Sequence, residues 1–171
     1  AYGETKFTIE KVLSNIYLSS KEWKIANLRY FNPISSHESG FIGEDPQSIP
    51  NNIYPRILQV AIGNLKEIQI YGNDWPTKDG TAVRDYIHVM DLAEAHISVL
   101  EYLIKKDNQI LTLNIGTGIP TTVLELISTF QEVNQIKIPF SFTHRRLGDN
   151  GTVVANVCKA KRLLNWRAKR S

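Results

Sequence analysis

Cysteine is almost missing from this chain. The 171 residues contain one, Cys158, so no disulfide can form within the chain, and a reducing compartment is expected. Val157 and Lys159 flank it with no nucleophile pattern around it, so Cys158 is not read as catalytic. No apolar run approaches the ~20 residues needed to span a bilayer, and no signal-peptide pattern opens the chain. No membrane association is expected, and a cytoplasmic location is. Charge of one sign is also scarce: 20 Lys and Arg stand against 17 Asp and Glu, a formal net charge of +3. The two signs are interspersed, with no basic stripe to argue for nucleic acid. One basic cluster, Arg162, Arg167, Lys169 and Arg170, lies at the C-terminal end and reads as a solvated helix end and tail. There is no internal repeat or low-complexity tract, and no metal site is expected. The G-x-G-x-x-G dinucleotide fingerprint is absent as well. Gly116-Thr-Gly118 follows a predicted strand, but Ile119-Pro120 interrupts where that motif would continue, so it reads as a tight turn.

What is present is an alternation of strands and helices. Phe7, Ile9, Val12, Leu13, Ile16 and Tyr17 recur at helical spacing and predict a helix over 2–19. Lys24–Tyr30 predicts a buried strand, stopped by Pro33. A polar loop, 35–50, follows, of a length that is uncommon unless functional. Further helices are predicted over 52–62, 92–103 (with Asp91 as N-cap), from Thr121 or Thr122 to about 133, and from Asn156 or Val157 to about 164. Strands are predicted at 68–71, 83–89, 110–115 and 139–143. The alternation argues for an α/β fold.

Tyr2 and Lys6 stand four residues apart, which places phenol and ammonium one turn apart on one helix face. An unperturbed tyrosine, with a pKa of about 10, is a poor base near neutral pH. A fixed cation beside it favours the phenolate, and a tyrosine so tuned can take a proton from a hydroxyl as hydride leaves. Alone, Y-x-x-x-K is a weak signal, common on exposed helices.

Five blocks strengthen it: A-Y-G-E-T-K at 1–6, L-R-Y-F-N-P at 28–33, G-E-D-P-Q-S-I-P-N-N at 43–52, D-G-T-A-V-R-D-Y-I-H-V-M-D-L-A at 79–93 and R-R-L-G-D at 145–149. In this order and at these separations they closely resemble the UDP-glucose 4-epimerases, a group of extended short-chain dehydrogenases/reductases. The resemblance covers essentially the whole chain. It implies the C-terminal part of an extended Rossmann-type reductase: the last strands and helices of the parallel sheet plus a small α/β substrate domain. Residues 1–33 would be the catalytic helix and the end of the NAD-binding domain. Residues 34–171 would be mainly the UDP-sugar-binding domain, with one returning Rossmann segment at about 79–91. Truncation at both ends is expected, and this stretch alone is not expected to bury NAD or to turn over.

The resemblance implies NAD-dependent 4-epimerisation of UDP-glucose and UDP-galactose through a 4-keto sugar. Tyr2 would be the base. Lys6 would hold the nicotinamide ribose and bias the tyrosine. Tyr30 and Phe31 would lie near the nicotinamide and the sugar diphosphate. Asn32 would bind diphosphate or sugar, unless it caps the turn at Pro33. Asn51, Asn52 and Ile53 would make the next diphosphate contact, and a helix N-cap by asparagine is an equally natural use. Gln69, Ile70 and Tyr71 would hold uracil, with the Tyr71 ring stacked on it. Arg84 and Arg146 would clamp the diphosphate, a task suited to the guanidinium fork, although Arg84 and Asp85 could instead form a structural ion pair. Asp149 would take the ribose hydroxyls. Arg145 reads as a surface neighbour, and His88 and His96 as structural.

Three departures stand out. Ser35-Ser36 replaces the usual Gly-Ala, and Asn150-Gly151 replaces more apolar residues. Val153 is small where the group carries a residue that limits the sugar pocket, so N-acetylated UDP-hexoses are expected to fit. Family members commonly form homodimers that pair helices, and the 2–19 helix would expose an apolar stripe. Two alternatives remain: a sister reductase acting on another nucleotide sugar, such as a UDP-pentose 4-epimerase, and a non-catalytic UDP-sugar-binding fragment.

Overall fold

Helical periodicity in the first residues becomes α1 (Tyr2–Ser19) and β-branched runs become short strands in the computed structural model, which describes residues 2–48 and 50–170, and only the backbone of Tyr2. After α1 come β1 (Lys24–Tyr30), β2 (Asn32–Ile34), α2 (Ile53–Ala61), β3 (Ile68–Tyr71), β4 (Val83–Arg84), β5 (Tyr86–His88) and α3 (Val89–Ile104). The chain continues as β6 (Gln109–Ile115), β7 (Thr121–Thr122), α4 (Val123–Asn134), β8 (Phe140–Thr143), β9 (Thr152–Val153) and α5 (Cys158–Leu164). Among the described residues four strand pairs are parallel, β1 with β6, β2 with β5, β3 with β8 and β4 with β9, and one, β4 with β7, is antiparallel. The fold is therefore α/β with parallel sheets. No helix among the described residues is long and apolar enough to cross a membrane.

Two apolar clusters hold it together. One joins Ile87, Leu92, Ala95, Val99, Leu111, Leu113, Ile115, Ala160 and Trp166, from β5, α3, β6 and the α5 region. The other joins Ile57, Val60, Ile68, Ile70, Ile127 and Ile138, from α2, β3, α4 and the start of β8. Each is fed by the inward alternation of its strands and one stripe of its helices. Helix α1 lies against β1, tied there by a bidentate pair: Arg29 Nε and Nη2 donate to Glu10 Oε1 and Oε2 at 2.7 and 2.6 Å.

Three local expectations need correction. Pro33 does not end extended structure. Pairing shifts instead: Phe31 N–H donates to Ile115 O (3.1 Å) and Asn32 N–H to Asp85 O (2.9 Å), so the chain leaves β6 and joins β5 with Pro33 inside β2. Asp91 is not the N-cap of α3. His88 is, its Nδ1 accepting from Met90 N–H at 3.1 Å. Asp91 lies inside the first turn, fully buried, and accepts from Lys169 N–H (2.9 Å), Arg170 N–H (2.8 Å) and Arg170 Nη1 (2.6 Å). The basic tail is thus not simply solvated, since Arg170 also pairs with Glu94 at 2.9 Å.

Candidate functional site

Strands β4 and β5 make one wall of an open cleft of about 770 Å³. Their residues alternate in direction, as extended chain must. Arg84 and Tyr86 line the cleft, and Asp85 between them is fully buried behind it. Asp85 accepts four hydrogen bonds there: Oδ1 from Thr117 N–H (2.8 Å) and Thr117 Oγ1 (2.7 Å), and Oδ2 from Gly118 N–H (2.8 Å) and Ala155 N–H (3.1 Å). No ion pair joins it to Arg84. Gly116-Thr-Gly118 is the tight turn expected, and its glycines have a reason. A Cβ on Gly116 would sit 2.7 Å from Asp85 Oδ2, and Gly118 has φ +78°. The turn wraps the carboxylate, and the carboxylate fixes the aim of its two neighbours.

Arg84 is held by Nη1, which donates to Val83 O (2.8 Å) and Asn150 O (2.9 Å). Its other nitrogens have no partner among the described residues. The Tyr86 hydroxyl is buried with no hydrogen-bond partner, in a residue 9% exposed. Burial pushes its pKa up to about 12, against the opposing charge of Arg84, so it stands as a neutral donor. An unpaired buried hydroxyl costs about 1–3 kcal/mol, and this one belongs to a residue that lines the cleft while the oxygen itself is shielded.

The remaining walls come from β2, α2, β3 and the 146–149 loop. Asn32 pairs in register with Tyr86, and its amide caps nothing at Pro33. Asn52 occupies the N-cap position of α2, but its side chain makes no capping bond, so its amide is not consumed by the helix. Arg146 lays its guanidinium over the Tyr71 ring, 3.7 Å from the centroid, and makes no ion pair among the described residues. Its neighbour Arg145 is committed elsewhere: it pairs with Asp74 at 2.7 Å and covers the Trp75 ring at 3.9 Å.

One cleft therefore collects Asn32, Asn51, Asn52, Ile53, Gln69, Ile70, Tyr71, Arg84, Arg146 and Asp149, all singled out from the sequence. It also holds Arg56, Ala82, Tyr86 and Val123, which the sequence reading missed. Two of these carried a signal. Tyr86 is two residues from Arg84 on a strand, and Arg56 is four from Asn52 on a helix, so each shares its neighbour's face. Ala82 and Val123 had none.

Four candidates, Val153, Phe31, Tyr30 and Lys6, lie outside this cleft. Val153 pairs with Arg84 in register but does not line it. Phe31 is half-buried at the switch between strands. Tyr30 is exposed at the carboxyl end of β1, its hydroxyl 2.8 Å from His96 Nε2, with His96 Nδ1 2.8 Å from Leu92 O. A carbonyl can only accept, so Nδ1 carries the proton and Nε2 accepts from Tyr30. His88 caps α3, and His96 links Tyr30 to the backbone of α3. Lys6 is exposed on α1, and the Tyr2 side chain lies outside the described residues. No group of three or more His, Cys, Asp or Glu among the described residues could hold a metal.

Fold and cleft define an α/β protein whose cleft gathers guanidiniums without carboxylate partners among the described residues, side-chain amides and an aromatic face, with one carboxylate among them. Comparison narrows the class. The chain matches the GDP-mannose 4,6 dehydratase family over residues 1–171, and it belongs to that family. It is 48% identical over 169 residues to UDP-glucose 4-epimerase of Bacillus subtilis, covering 99% of this chain and 50% of that protein. It is 50% identical over 170 residues to bifunctional UDP-glucose 4-epimerase and UDP-xylose 4-epimerase 3 of Arabidopsis thaliana, covering 98% and 48%. The crystal structure of the Stenotrophomonas maltophila UDP-glucose 4-epimerase, with bound NAD and formylated UDP-arabinopyranose, superposes with a TM-score of 0.95 at 44% identity over 99% of this chain and 50% of that one. The chain spans about half the length of the curated relatives it matches.

Proposed function

We propose that this chain supplies the UDP-sugar site of an NAD-dependent UDP-hexose 4-epimerase, and that the whole protein interconverts UDP-glucose and UDP-galactose. One observation carries the reading. Arg84 and Arg146, both without a carboxylate partner among the described residues, share a cleft with the orphaned hydroxyl of Tyr86. Two free forks suit two phosphates, and a buried neutral phenol needs an acceptor such as a phosphate oxygen. Asn32, Asn51 and Asn52 offer further amide contacts. Gln69, Ile70 and Tyr71 offer an edge and a ring for uracil, and Asp149 accepts from ribose hydroxyls.

For chemistry, Tyr2 would take the proton of the sugar 4-hydroxyl, with Lys6 one turn on favouring the phenolate. Bound NAD supplies the hydride acceptor and donor. Lys6, Tyr30 and Phe31 suit the nicotinamide end of it: α1 lies over β1, and Tyr30 is exposed where that strand ends. The chain holds no glycine-rich loop for the cofactor's pyrophosphate, so these residues address one end alone. We extend the returning Rossmann segment beyond 79–91, because α3, β6 and α5 share one core with β5.

The relatives' names and ligands favour a second specificity, a UDP-pentose. Val153, small and half-exposed beside Arg84 in register, motivates the same question for N-acetylated UDP-hexoses. The exposed Phe7, Ile9, Val12 and Leu18 of α1 suit a helix-pairing homodimer, and a cytoplasmic protein fits the single cysteine. The test has two parts. Calorimetric titration of the chain with UDP should show binding that Arg84→Met and Arg146→Met each weaken at least tenfold. In the whole protein, Tyr2→Phe should lower turnover of UDP-galactose by about 10²–10⁴ with UDP affinity kept. UDP binding indifferent to both arginines would remove the reading.

A further inference from the structure

Arg56 projects into the same cleft from α2 and belongs to none of the expected contacts. Its backbone lies in the helix's first turn, four residues after Asn52, which places both on one face. Its Nε donates to Pro50 O at 2.6 Å. That bond draws the guanidinium back toward the residues that open the helix, Asn51 and Asn52. Both terminal nitrogens are left without a partner among the described residues, and no carboxylate pairs with the group.

The guanidinium is half-buried and held at one nitrogen, which leaves two nitrogens able to donate to an acceptor that enters the cleft. Cleft charge points the same way. Asp149 is the one acid of the lining, and Arg56, Arg84 and Arg146 are its three cations, leaving a surplus of two positive charges. A nucleoside diphosphate ester carries one negative charge on each phosphate, which matches the formal surplus of two that the three arginines and Asp149 leave. With Arg84 and Arg146 alone, that formal surplus would be one.

We propose that Arg56 is a third phosphate-binding cation, which grips the sugar-nucleotide diphosphate from the α2 side. This rests on the UDP-sugar reading above. It adds a residue to that reading and a condition: recognition of the diphosphate depends on Arg56, while recognition of the nucleoside does not.

The probes are UDP and uridine, titrated calorimetrically into the 171-residue chain and its Arg56→Met, Arg56→Lys and Arg84→Met variants, with thermal unfolding as a check on each. Arg56→Met should weaken UDP at least tenfold and change uridine less than twofold. Arg56→Lys keeps the charge and loses the fork, and should recover part of the UDP affinity. The UDP affinity of the parent chain should also fall more steeply with added salt than that of Arg56→Met. If Arg56→Met binds UDP like the parent while Arg84→Met does not, Arg56 is a brace for Pro50 and the proposal is wrong, with the reading of the cleft intact. Equal loss of UDP and uridine in Arg56→Met would likewise overturn it, marking a collapsed α2 entrance. If the parent chain itself does not prefer UDP to uridine, both the reading and the proposal fall.

Discussion

The cleft and the wall behind it treat polar groups in opposite ways. Behind the wall, Asp79, Asp85 and Asp91 are saturated. Asp85 and Asp91 accept four and three hydrogen bonds. Asp79 accepts from Thr81 N–H (2.8 Å), Thr81 Oγ1 (2.7 Å) and the Thr122 hydroxyl. In the cleft, a few ångströms of backbone away, Arg84 and Arg56 use one donor nitrogen each, Arg146 uses none, and the Tyr86 hydroxyl is orphaned. Saturated groups fix geometry, and idle ones keep hydrogen-bonding capacity for a ligand. The difference separates architecture from recognition within one stretch, Arg84-Asp85-Tyr86.

The largest effect should come from the saturated side. All four Asp85 partners are donors, two to each oxygen, so an amide in either orientation turns its NH₂ toward two donors. Asp85→Asn should therefore cost about 3–5 kcal/mol of unfolding free energy, read from urea denaturation, although it is nearly isosteric. UDP binding should fall with it, because the turn that aims Arg84 and Tyr86 loosens. A variant as stable as the parent would show that the turn, and not the carboxylate, sets the wall.

The idle side should answer the other way. Tyr86→Phe removes a buried hydroxyl that nothing satisfies, so stability should hold or rise by up to about 1 kcal/mol. UDP affinity should drop roughly tenfold, the worth of one hydrogen bond to a charged acceptor. A single substitution that stabilises the chain and weakens its ligand would be the clearest division between the two regions. Loss of stability with unchanged affinity would assign the hydroxyl to the wall.

Much of this division was legible before any coordinates. Strand alternation and helix spacing are local, and α1, β1, β3 and α4 fall within a residue or two of their expected bounds. Thr122, one of the two expected helix starts, forms a reciprocal cap that the sequence reading did not name: its Oγ1 accepts from Glu125 N–H (3.1 Å) and Glu125 Oε2 from Thr122 N–H (2.8 Å). The cleft residues carried by sequence blocks were legible for the same reason, since each block is contiguous. What was hidden depends on distant partners. Asp91 looks like a cap until the tail around Lys169 and Arg170 arrives from 78 residues away. Arg84 and Asp85 look like a pair until Thr117, Gly118 and Ala155 claim the carboxylate. Arg56 and Tyr86 look ordinary until the fold brings them into the lining of one cleft.

Acid should sharpen the comparison, because two saturated carboxylates titrate below their ordinary range. Burial pushes Asp91 up, but the Arg170 and Lys169 amides and the Arg170 guanidinium outweigh it. Burial also opposes the Thr122 and Thr81 hydrogen bonds at Asp79, and the bonds prevail. A depressed folded-state pKa contributes stability that is present above the unfolded value, about 3.9 for Asp, and is lost as pH falls through the folded one. Urea midpoints should be flat from pH 7 to about 5, then fall through pH 4 and below. In Asp79→Asn the fall should be shallower. A midpoint that declines between pH 7 and 5.5 instead would point to histidine.

The smallest effect lies where neither region reaches. Ser35 follows β2 with φ +72°, one of three non-glycine residues in the left-handed region among the described residues. For an L-residue with a Cβ that conformation costs about 1–2 kcal/mol, and glycine holds it without that strain at the expense of about 0.5–1 kcal/mol in unfolded-state entropy. Ser35→Gly should therefore stabilise the chain by roughly 0.5–1 kcal/mol, a rise of about 1–4 °C in melting temperature for a domain of this size. Ser35 does not line the cleft and contacts none of the three carboxylates, so UDP affinity should stay within twofold of the parent. If affinity moved together with stability, the 35–50 loop would be coupled to the α2 end of the cleft, and the boundary between fixed and receiving groups would have to be drawn further toward β2.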